Sequence, residues 1–432
     1  MSNAKLIIIG VVGVLVLIFV LMLIGIIPGL KSNQPNAAPA SLVMWGVGNR
    51  AGQFDNAFQA FKQTYPNVQI LYKGFDTQDE YESALIEAFA SGNSPDIFMV
   101  ANESFPRFAN KIIPFSTAAI TLTQLEQLFP QTVEQTFVRN GQAYALPLSI
   151  DTLALIYNKD MFNAASIPFP PKTWEEFKTI SPRLLKNDKL TGALITAPSP
   201  MGGSEKNVAY ASDLLGTIMI QNGAKMVNSD FSNALFLSQE GRDAITFYTQ
   251  FVDSPNSTST WNDAMPYSID AFSQEKTAMT FGYLSDVNTI RSKNSFLNFG
   301  VALLPQYEGT LAATHPFYYG LAVSIQTKNN DAAKRLILSL TTDQNIAEMY
   351  LKETKTPPAL LSLINQDFND LQLNVFARQA LIARSWPKPD NRAVKDIFSQ
   401  MIDNITSKKL SVYSGIQQAE GEVNTLFRNK SL

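Results

Sequence analysis

From residue 42 onward, short apolar strands alternate with amphipathic helices, and this alternation restricts the possible folds more than any other feature of the sequence. Leu42-Val43-Met44-Trp45 predicts a first strand, and apolar residues at helical spacing follow it as far as Pro66. Residues 68–72 and 95–100 predict two further strands with a helix between them. The order β-α-β-α-β predicts an α/β fold built on a doubly wound sheet.

Two helix starts are marked by capping boxes. Thr77 and Glu80 have the required spacing, and Thr173 and Glu176 repeat it. From residue 330 onward the apolar spacing is helical, apart from breaks at prolines. The chain therefore contains more elements than one β-α-β unit needs.

An unbroken apolar run precedes the alternating region. It extends from Leu6 to Ile27 and, as a helix, is about 33 Å long, enough for a hydrocarbon core of about 30 Å. Secretory signals have shorter apolar regions of about 7–15 residues. We therefore predict that residues 1–30 are an uncleaved transmembrane anchor; a cleaved signal or a buried core helix are the alternatives. Residues 31–41 are polar, small and proline-containing, which predicts a flexible tether.

Composition excludes several classes of function. With 432 residues, the chain is long for a single core. Its net charge of −3 gives no basic footprint for nucleic acid, so no nucleic-acid partner is expected. The absence of cysteine removes thiolate metal sites and cysteine nucleophiles, and the single histidine, His315, removes histidine-based metal clusters. No cofactor or metal is expected.

Five segments, in order along the chain, carry a family resemblance. They are Ser94-Pro95-Asp96-Ile97, the stretch from Tyr144 to Phe162 with its Tyr157-Asn158-Lys159-Asp160 end, Pro171 to Phe177, Lys276 to Gly282, and Gly320 to Ser324. Each is weak alone, but together they resemble the family 1 extracellular solute-binding proteins of ABC importers, in the maltose-binding-protein-like sugar-binding group. The resemblance covers about residues 42–427.

The resemblance implies a two-lobed periplasmic-binding-protein fold of type II, also called a Venus flytrap, here with an N-terminal transmembrane helix. Lobe 1 would hold residues 42–149 and 315–364. Lobe 2 would hold residues 150–314 and 365–432. A ligand would be captured between the lobes when they close about the hinge.

The function implied is that of an extracytoplasmic binding protein, not an enzyme, that delivers a small carbohydrate to the permease subunits of an ABC importer. The binding domain would be a monomer outside the cell, held at the cell membrane by the single N-terminal helix. Alternatives stay open: a polyamine, a metal complex or a peptide as cargo, or a receptor that reports ligand to a membrane sensor. A tethered glycosidase is a weaker alternative because no pattern pairs two carboxylates.

A sugar site needs planar hydrogen-bonding groups for hydroxyls and aromatic faces for the ring. Asp151 is the first candidate because it interrupts an apolar stretch, where a carboxylate is costly without partners. In the family the aligned carboxylate enters the cleft; a structural role between the lobes is the alternative. Asn49 and Arg50 follow the first strand, where the family places ligand contacts, unless they form a solvated turn. Ala51 stands where a dinucleotide fingerprint needs its last glycine.

Glu103 matches a carboxylate of the family site, although exposed loop glutamates are common. Two neighbours depart from the pattern. Val100 stands where a maltose-binding relative has a sugar-stacking tryptophan, and Ser104 replaces an arginine. The resemblance therefore implies a carbohydrate site but leaves maltose in doubt.

The remaining candidates are mainly aromatic. Tyr283, at the end of its strand, and Trp261, in a polar loop, have core packing as their alternative. The others are Arg384 and Trp386, in a segment that returns to the cleft in the family, and one of the pair Tyr318 and Tyr319 near the second crossover. For His315 we expect a hinge or surface position. Trp174 is expected in the core.

Overall fold

The computed structural model describes residues 39–48, 52–191, 194–252, 261, 265–366 and 370–430. The predicted anchor, residues 1–30, and most of the predicted tether lie outside this range. Within the described part of the chain, no helix has the length and apolarity needed to cross a bilayer.

The strands occur in the following order: β1 (Ala40–Val47), β2 (Val68–Phe75), β3 (Ile97–Ala101), β4 (Ile112–Ile113), β5 (Val138–Arg139), β6 (Gln142–Ala143), β7 (Ala145–Pro147), β8 (Asp151–Thr152), β9 (Ala154–Asn158), β10 (Lys186–Asn187), β11 (Leu194–Thr196), β12 (Met279–Gly282), β13 (Phe299–Ala302), β14 (Pro316–Phe317) and β15 (Tyr319–Ser324).

The helices are α1 (Asp55–Thr64), α2 (Gln78–Ala90), α3 (Phe105–Phe108), α4 (Leu122–Leu128), α5 (Gln131–Phe137), α6 (Lys159–Ala164), α7 (Trp174–Leu184), α8 (Ala211–Gln221), α9 (Gln239–Thr249), α10 (Ser268–Ser273), α11 (Leu284–Lys293), α12 (Asn330–Thr342), α13 (Gln344–Thr354), α14 (Leu361–Ile364), α15 (Leu371–Gln379), α16 (Asn391–Thr406) and α17 (Val412–Lys430). Short 3₁₀ turns lie at Ala109–Lys111 and Ala380–Ile382.

The larger sheet has the order β2-β1-β3-β15-β4, with β7 also paired to β15. Strands β1, β2 and β3 are parallel, as the alternating pattern predicts, whereas β15 returns antiparallel to β3. Strand β1 begins at Ala40, inside the predicted tether, because Ala40 and Ser41 continue the parallel pairing with Val68 and Gln69. The sheet is therefore mixed, with its antiparallel strand supplied from much later in the chain.

Both predicted capping boxes mark real helix starts. The Thr77 hydroxyl accepts from the backbone N–H of Glu80 at 3.2 Å, and α2 begins at the next residue, Gln78. The Thr173 hydroxyl accepts from the N–H of Glu176 at 3.1 Å, and α7 follows. Each cap satisfies a backbone donor that the helix leaves free.

A second sheet has the order β12-β9-β13 and is antiparallel. Its strands carry a core on each face: Leu155 and Phe281 pack into one apolar cluster, and Ile156 and Phe299 into another. Trp174, expected in the core, is fully buried there, and its indole N–H donates to Oε1 of Gln221 at 2.6 Å.

Buried side chains form two main cores, one from Leu42 to Ile150 with Tyr318 to Ala380, and one from Leu153 to Leu304 with Trp386 to Val423. We call these the first and the second core. Connecting segments run side by side: β8 pairs with β14, and Thr314 forms a bridge to Ala383. This arrangement is the two-lobed α/β architecture. The lobe boundaries given above remain predictions.

Candidate functional site

A network of buried charges joins the two cores. The ammonium of Lys388 lies 3.2 Å from Oε1 of Glu103 and 3.3 Å from Oδ1 of Asp213. Lys395 lies 3.2 Å from Oδ2 of Asp213, and Asn391 donates to Oε2 of Glu103 at 2.7 Å. Two carboxylates and two ammonium groups thus neutralise one another, which is what buried charges require.

His315 completes this network. It is only 2% exposed, so of the two expected positions the surface one is wrong, and the hinge position stays a prediction. The short segment that carries it runs between the cores. Its Nδ1 lies 3.0 Å from the hydroxyl of Tyr283, and its Nε2 lies 3.5 Å from Oδ1 of Asp213 and 3.7 Å from Oε1 of Glu103. A hydrogen bond donated by the phenol to Nδ1 places the ring proton on Nε2, facing the carboxylates.

Helices position two members of the network, and the end of a strand positions a third. Glu103 follows the end of β3, Asp213 lies in the first turn of α8, and Lys395 lies in α16. Lys388 is held between Pro387 and Pro389, which restrict the backbone on both sides. The carboxylate of Asp213 at a helix N-terminus is also favoured by the helix dipole.

The charge states follow from burial and neighbours. Burial lowers the pKa of His315 to about 4, so this ring is neutral at pH 7 and its contacts to carboxylates are not ion pairs there. Burial alone would raise the pKa of Asp213, but His315, Lys395 and Lys388 together hold it below its usual range. Burial likewise opposes the charge on Lys395, yet Asp213, Glu103 and Glu205 raise its pKa above the ordinary value.

Three side chains of the network carry atoms of the kind that bind metal cations. One ligand atom from each of Glu103, Asp213 and His315 lies within 4.8 Å of the others. The ammonium of Lys388 contacts both carboxylates of this set. The positive charge that a metal would supply is therefore already provided by the chain.

A cavity of about 370 Å³ lies on one side of the network. Phe105 of the first core and Trp386 of the second core line it, together with Arg139 and the exposed Phe231. Its charged lining residues are Arg139, Lys225, Arg384, Lys388 and Glu103. We call it the basic cavity, because only one of these groups is an acid.

A second cavity, of about 630 Å³, lies on the other side of the network. Tyr210, Tyr283 and Phe317 present aromatic surface to it. Its charged lining residues are Asp79, Glu82, Glu103, Glu205, Asp213, Asp390, Asp396, Arg107, Arg392 and Lys395. We call it the acidic cavity. Glu103 lines both cavities, so the network is the wall between them.

Four of the predicted site residues lie at this cleft. Glu103 and Tyr283 line the acidic cavity. Arg384 and Trp386 line the basic cavity. The indole of Trp386 is mostly buried against Phe236 and Phe398, so only part of it faces the cavity. The structure thus brings these four side chains to opposite sides of one wall; their contact with a ligand remains a prediction.

Asp151 has a different environment. Its carboxylate accepts from the backbone N–H of Thr152 at 2.8 Å and of Leu284 at 3.0 Å, and it does not line either cavity. Burial raises its pKa to about 7, against the effect of those two hydrogen bonds. These contacts match the structural alternative, in which Asp151 forms a hydrogen bond that links the crossing strand to the start of α11.

Three further candidates, Trp261, Tyr318 and Tyr319, are not among the residues that line either cavity, although Tyr319 contacts Phe317 and Gln78, which line the acidic cavity. Trp261 is 2% exposed and packs in the second core. Tyr318 is also buried, and its hydroxyl donates to the carbonyl of Thr132 at 2.9 Å. Tyr319 is half-buried, stacks edge-on against Phe317 and donates to Gln78 at 3.3 Å. Asn49 and Arg50 lie outside the described residues.

Several residues of the site were not predicted from the sequence. Asp213 interrupts an apolar helix, which is the same signal that singled out Asp151. Lys388 stands between two prolines, an unusual position for a lysine, and Lys395 carries no signal beyond its charge. Arg139 is a half-buried cation whose guanidinium stacks on Phe105, 5.2 Å from the ring centre.

Comparison with known proteins agrees with this architecture. The galactooligosaccharide-binding protein of Bacillus subtilis is 22% identical over 78% of this chain and 76% of that protein. The maltotriose-binding protein of Pyrococcus abyssi is 30% identical over 28% of this chain, a match that covers 26% of the relative.

Among solved structures, the cyclic α-maltosyl-1,6-maltose binding protein of Arthrobacter globiformis superposes with a TM-score of 0.77 at 20% identity, covering 91% of this chain and all of that one. This likeness supports the fold. The profile of the bacterial extracellular solute-binding protein family matches residues 56–372, most of the chain. This chain therefore belongs to the family of bacterial extracellular solute-binding proteins, as the sequence motifs predicted.

Proposed function

We propose that this protein captures a small carbohydrate outside the cytoplasm and delivers it to the permease of an ABC importer. The observation that carries the proposal is the acidic cavity, which lies between the two cores and combines aromatic surface with carboxylates. Tyr210, Tyr283 and Phe317 offer faces for the C–H surface of a sugar ring, and the acids accept hydrogen bonds from its hydroxyls. The relatives' ligands, maltotriose and galactooligosaccharides, are of the same class.

Capture would proceed by closure of the two lobes. Residues beside both cores line the acidic cavity: Ser104 lies just after β3, a strand of the first core, and Tyr283 belongs to the second core. A ligand in this position makes its full set of contacts only when the cores approach, so it favours the closed form. The closed form would then be the one that docks on the permease.

The apolar run of residues 6–27 would hold the protein at the membrane. Family membership supports an extracytoplasmic binding domain, and the length of the run suits one crossing of the bilayer. An anchored binder stays close to its permease, which raises its effective concentration there.

The test is isothermal calorimetry on the full chain purified in a mild detergent, with maltotriose, galactooligosaccharides and other neutral sugars. We expect at least one sugar to bind with micromolar affinity, about −8 kcal/mol. Phe317→Ala, which removes one aromatic wall, is expected to weaken binding about tenfold. Tyr413→Ala, at an exposed position on α17, serves as the control. Absence of binding by every sugar would refute the proposal.

The same samples separate a binder from a glycosidase. Chromatography of the bound oligosaccharide over hours is expected to show the intact compound. Steady release of shorter products would show that the protein is an enzyme instead.

A polyamine is the second candidate cargo, and the excess of carboxylates in the acidic cavity favours it. Spermidine in the same calorimetric series distinguishes the two classes. Binding of spermidine that weakens steeply with salt, together with no response to sugars, would select this alternative.

A further inference from the structure

The basic cavity differs in charge from the acidic cavity on the other side of the wall. Arg139, Lys225 and Arg384 line it without an ion-pair partner anywhere in the described part of the chain, while Lys388 is already paired with Glu103 and Asp213. Arg139 and Arg384 are partly buried, whereas Lys225 is exposed. The two arginines therefore lose part of their hydration without gaining a counter-ion. The cavity therefore has an uncompensated positive charge.

Arg384 supplies a second, independent observation. Its Nε is buried, and no described residue accepts a hydrogen bond from it. Its backbone is fixed, because its N–H donates to the carbonyl of Thr314 at 2.9 Å. A buried guanidinium donor without an acceptor is costly. Because solvent does not reach this Nε, an anion in the cavity would bind the terminal nitrogens of the guanidinium and not Nε itself.

Arg139 stands on the opposite side of the same cavity. Its guanidinium lies 5.2 Å from the ring centre of Phe105 and 5.9 Å from that of Phe231, and these rings belong to different halves of the protein. One of its N–H groups donates to the carbonyl of Val138 at 2.9 Å. Stacking fixes the plane of the guanidinium, so its remaining donors are oriented in advance for a planar or tetrahedral anion.

The rest of the lining suits a hydroxylated ring. Trp386, which is 7% exposed, contributes a small aromatic surface. Gln135, Thr136 and Ser385 contribute polar lining. The volume of about 370 Å³ is in the range of small-ligand sites. This combination of cations, an aromatic face and neutral polar groups matches a sugar that carries a negative charge.

We propose that the basic cavity is a second binding site, separate from the acidic cavity, and that it takes an anionic sugar. The anionic group binds Arg139 and Arg384, and the sugar ring contacts the small exposed part of Trp386. The acidic cavity repels the same ligand, because its carboxylates outnumber its cations. Neutral and anionic sugars would thus bind on opposite sides of the wall formed by Glu103 and Lys388.

The test is calorimetry on the full chain in detergent with galacturonate and glucose 6-phosphate, each beside its neutral parent, galactose or glucose. We expect at least one anionic sugar to bind at least about tenfold more tightly than its parent, with an affinity that falls as salt rises from 20 to 200 mM, an effect typical of charge-assisted binding. Tighter binding of galacturonate would identify the anionic group as a carboxylate, and tighter binding of glucose 6-phosphate would identify it as a phosphate.

The variants Arg139→Gln and Arg384→Gln are expected to lose this advantage, about tenfold or more each. Arg242→Gln is the matched control: Arg242 is also half-buried and also lies 5.9 Å from an aromatic ring centre, that of Tyr413, but on the outer surface. Neutral-sugar binding by each variant reports that the fold is intact.

The proposal is overturned if anionic sugars bind no better than their neutral parents. It is also overturned if they bind both cavity variants as well as they bind the wild type. The outcome is separable from that of the proposed transport function. Neutral sugars that bind while anionic sugars do not would leave the transport function supported and refute only the second site.

Discussion

Oε1 of Glu103 lies 3.2 Å from Nζ of Lys388, although the two residues are 285 positions apart in the chain and belong to opposite sides of the cleft. Both side chains are almost completely buried. This pair, with Asp213 and Lys395, connects the two cores through charge as well as through the crossing strands.

Removing the ammonium tests the importance of that connection. In Lys388→Met, Glu103 and Asp213 stay buried with less positive charge nearby, so we expect the free energy of unfolding to fall by about 3–5 kcal/mol. Urea unfolding followed by tryptophan fluorescence measures it. Lys352→Met is the control, because Lys352 is exposed and lies 3.7 Å from Glu348; we expect a change below about 0.5 kcal/mol. Equal effects of the two substitutions would contradict a stabilising network.

Because the chain has a single histidine, the pH dependence of that ring can be isolated. The pKa of His315 is about 4 in the folded protein and about 6.5 when unfolded. Between these values only the unfolded chain takes up the proton, so stability falls as pH drops from about 6.5 to about 4, by up to about 3 kcal/mol. Above pH 6.5 the contribution is constant.

The measurement is the difference in unfolding free energy between the wild type and His315→Gln across pH 4–8. We expect this difference to shrink as pH falls through the window. Parallel curves for the two proteins would show that the ring is charged, or free to be charged, in the folded state.

Asp151 should show the opposite pH dependence. Burial raises its pKa from 3.8 to about 7, so the folded protein holds a proton that the unfolded chain has already lost. Stability therefore declines as pH rises from about 4 to about 7, and Asp151→Asn removes that decline, worth about 2–4 kcal/mol. Thermal unfolding across this range checks it. Asp188→Asn is the control, because hydrogen bonds from Thr191 lower the pKa of that exposed carboxyl.

Two glycines should respond in opposite directions to the same substitution. A Cβ at Gly320, on β15, would lie 2.6 Å from Cβ of Ala145 and 2.7 Å from the ring of Phe137. We expect Gly320→Ala to cost roughly 1–3 kcal/mol. Gly421, in α17, has no atom within 4 Å of that position, so Gly421→Ala should stabilise by about 0.5–1 kcal/mol. Chemical unfolding of both variants provides the comparison, and a stabilised Gly320→Ala would show that β15 packs less closely.

The helix starts at Thr77 and Thr173 were predictable because a cap depends on residues three positions apart. The strands β1 to β3 were predictable because each is a short apolar run, which is also a local pattern. The antiparallel place of β15 in the first sheet depends on pairing with β3, more than 200 residues earlier, and no local pattern encodes it.

The site was predictable only in part. The family motifs led to Glu103, and the strand end led to Tyr283, and both face the acidic cavity. Lys388 and Lys395 were missed because an isolated lysine in a sequence is usually solvated, and only the fold shows that these two face buried carboxylates. Trp261 was singled out because a large aromatic stands in a polar loop, and Tyr318 because it precedes a strand near the second crossover. Both side chains are buried in the cores, which neither signal distinguishes from a place in the cleft.

Glu103 borders both cavities, and this position limits how long a cargo can be. If the cargo is a linear saccharide, as proposed above, it could extend through both cavities only if Lys388 separated from Glu103 and Asp213. Longer polymers would have to enter by a terminus, with the remaining units left in water. The number of sugar units that the protein encloses would then depend on the depth of one cavity and not on the full width between the lobes.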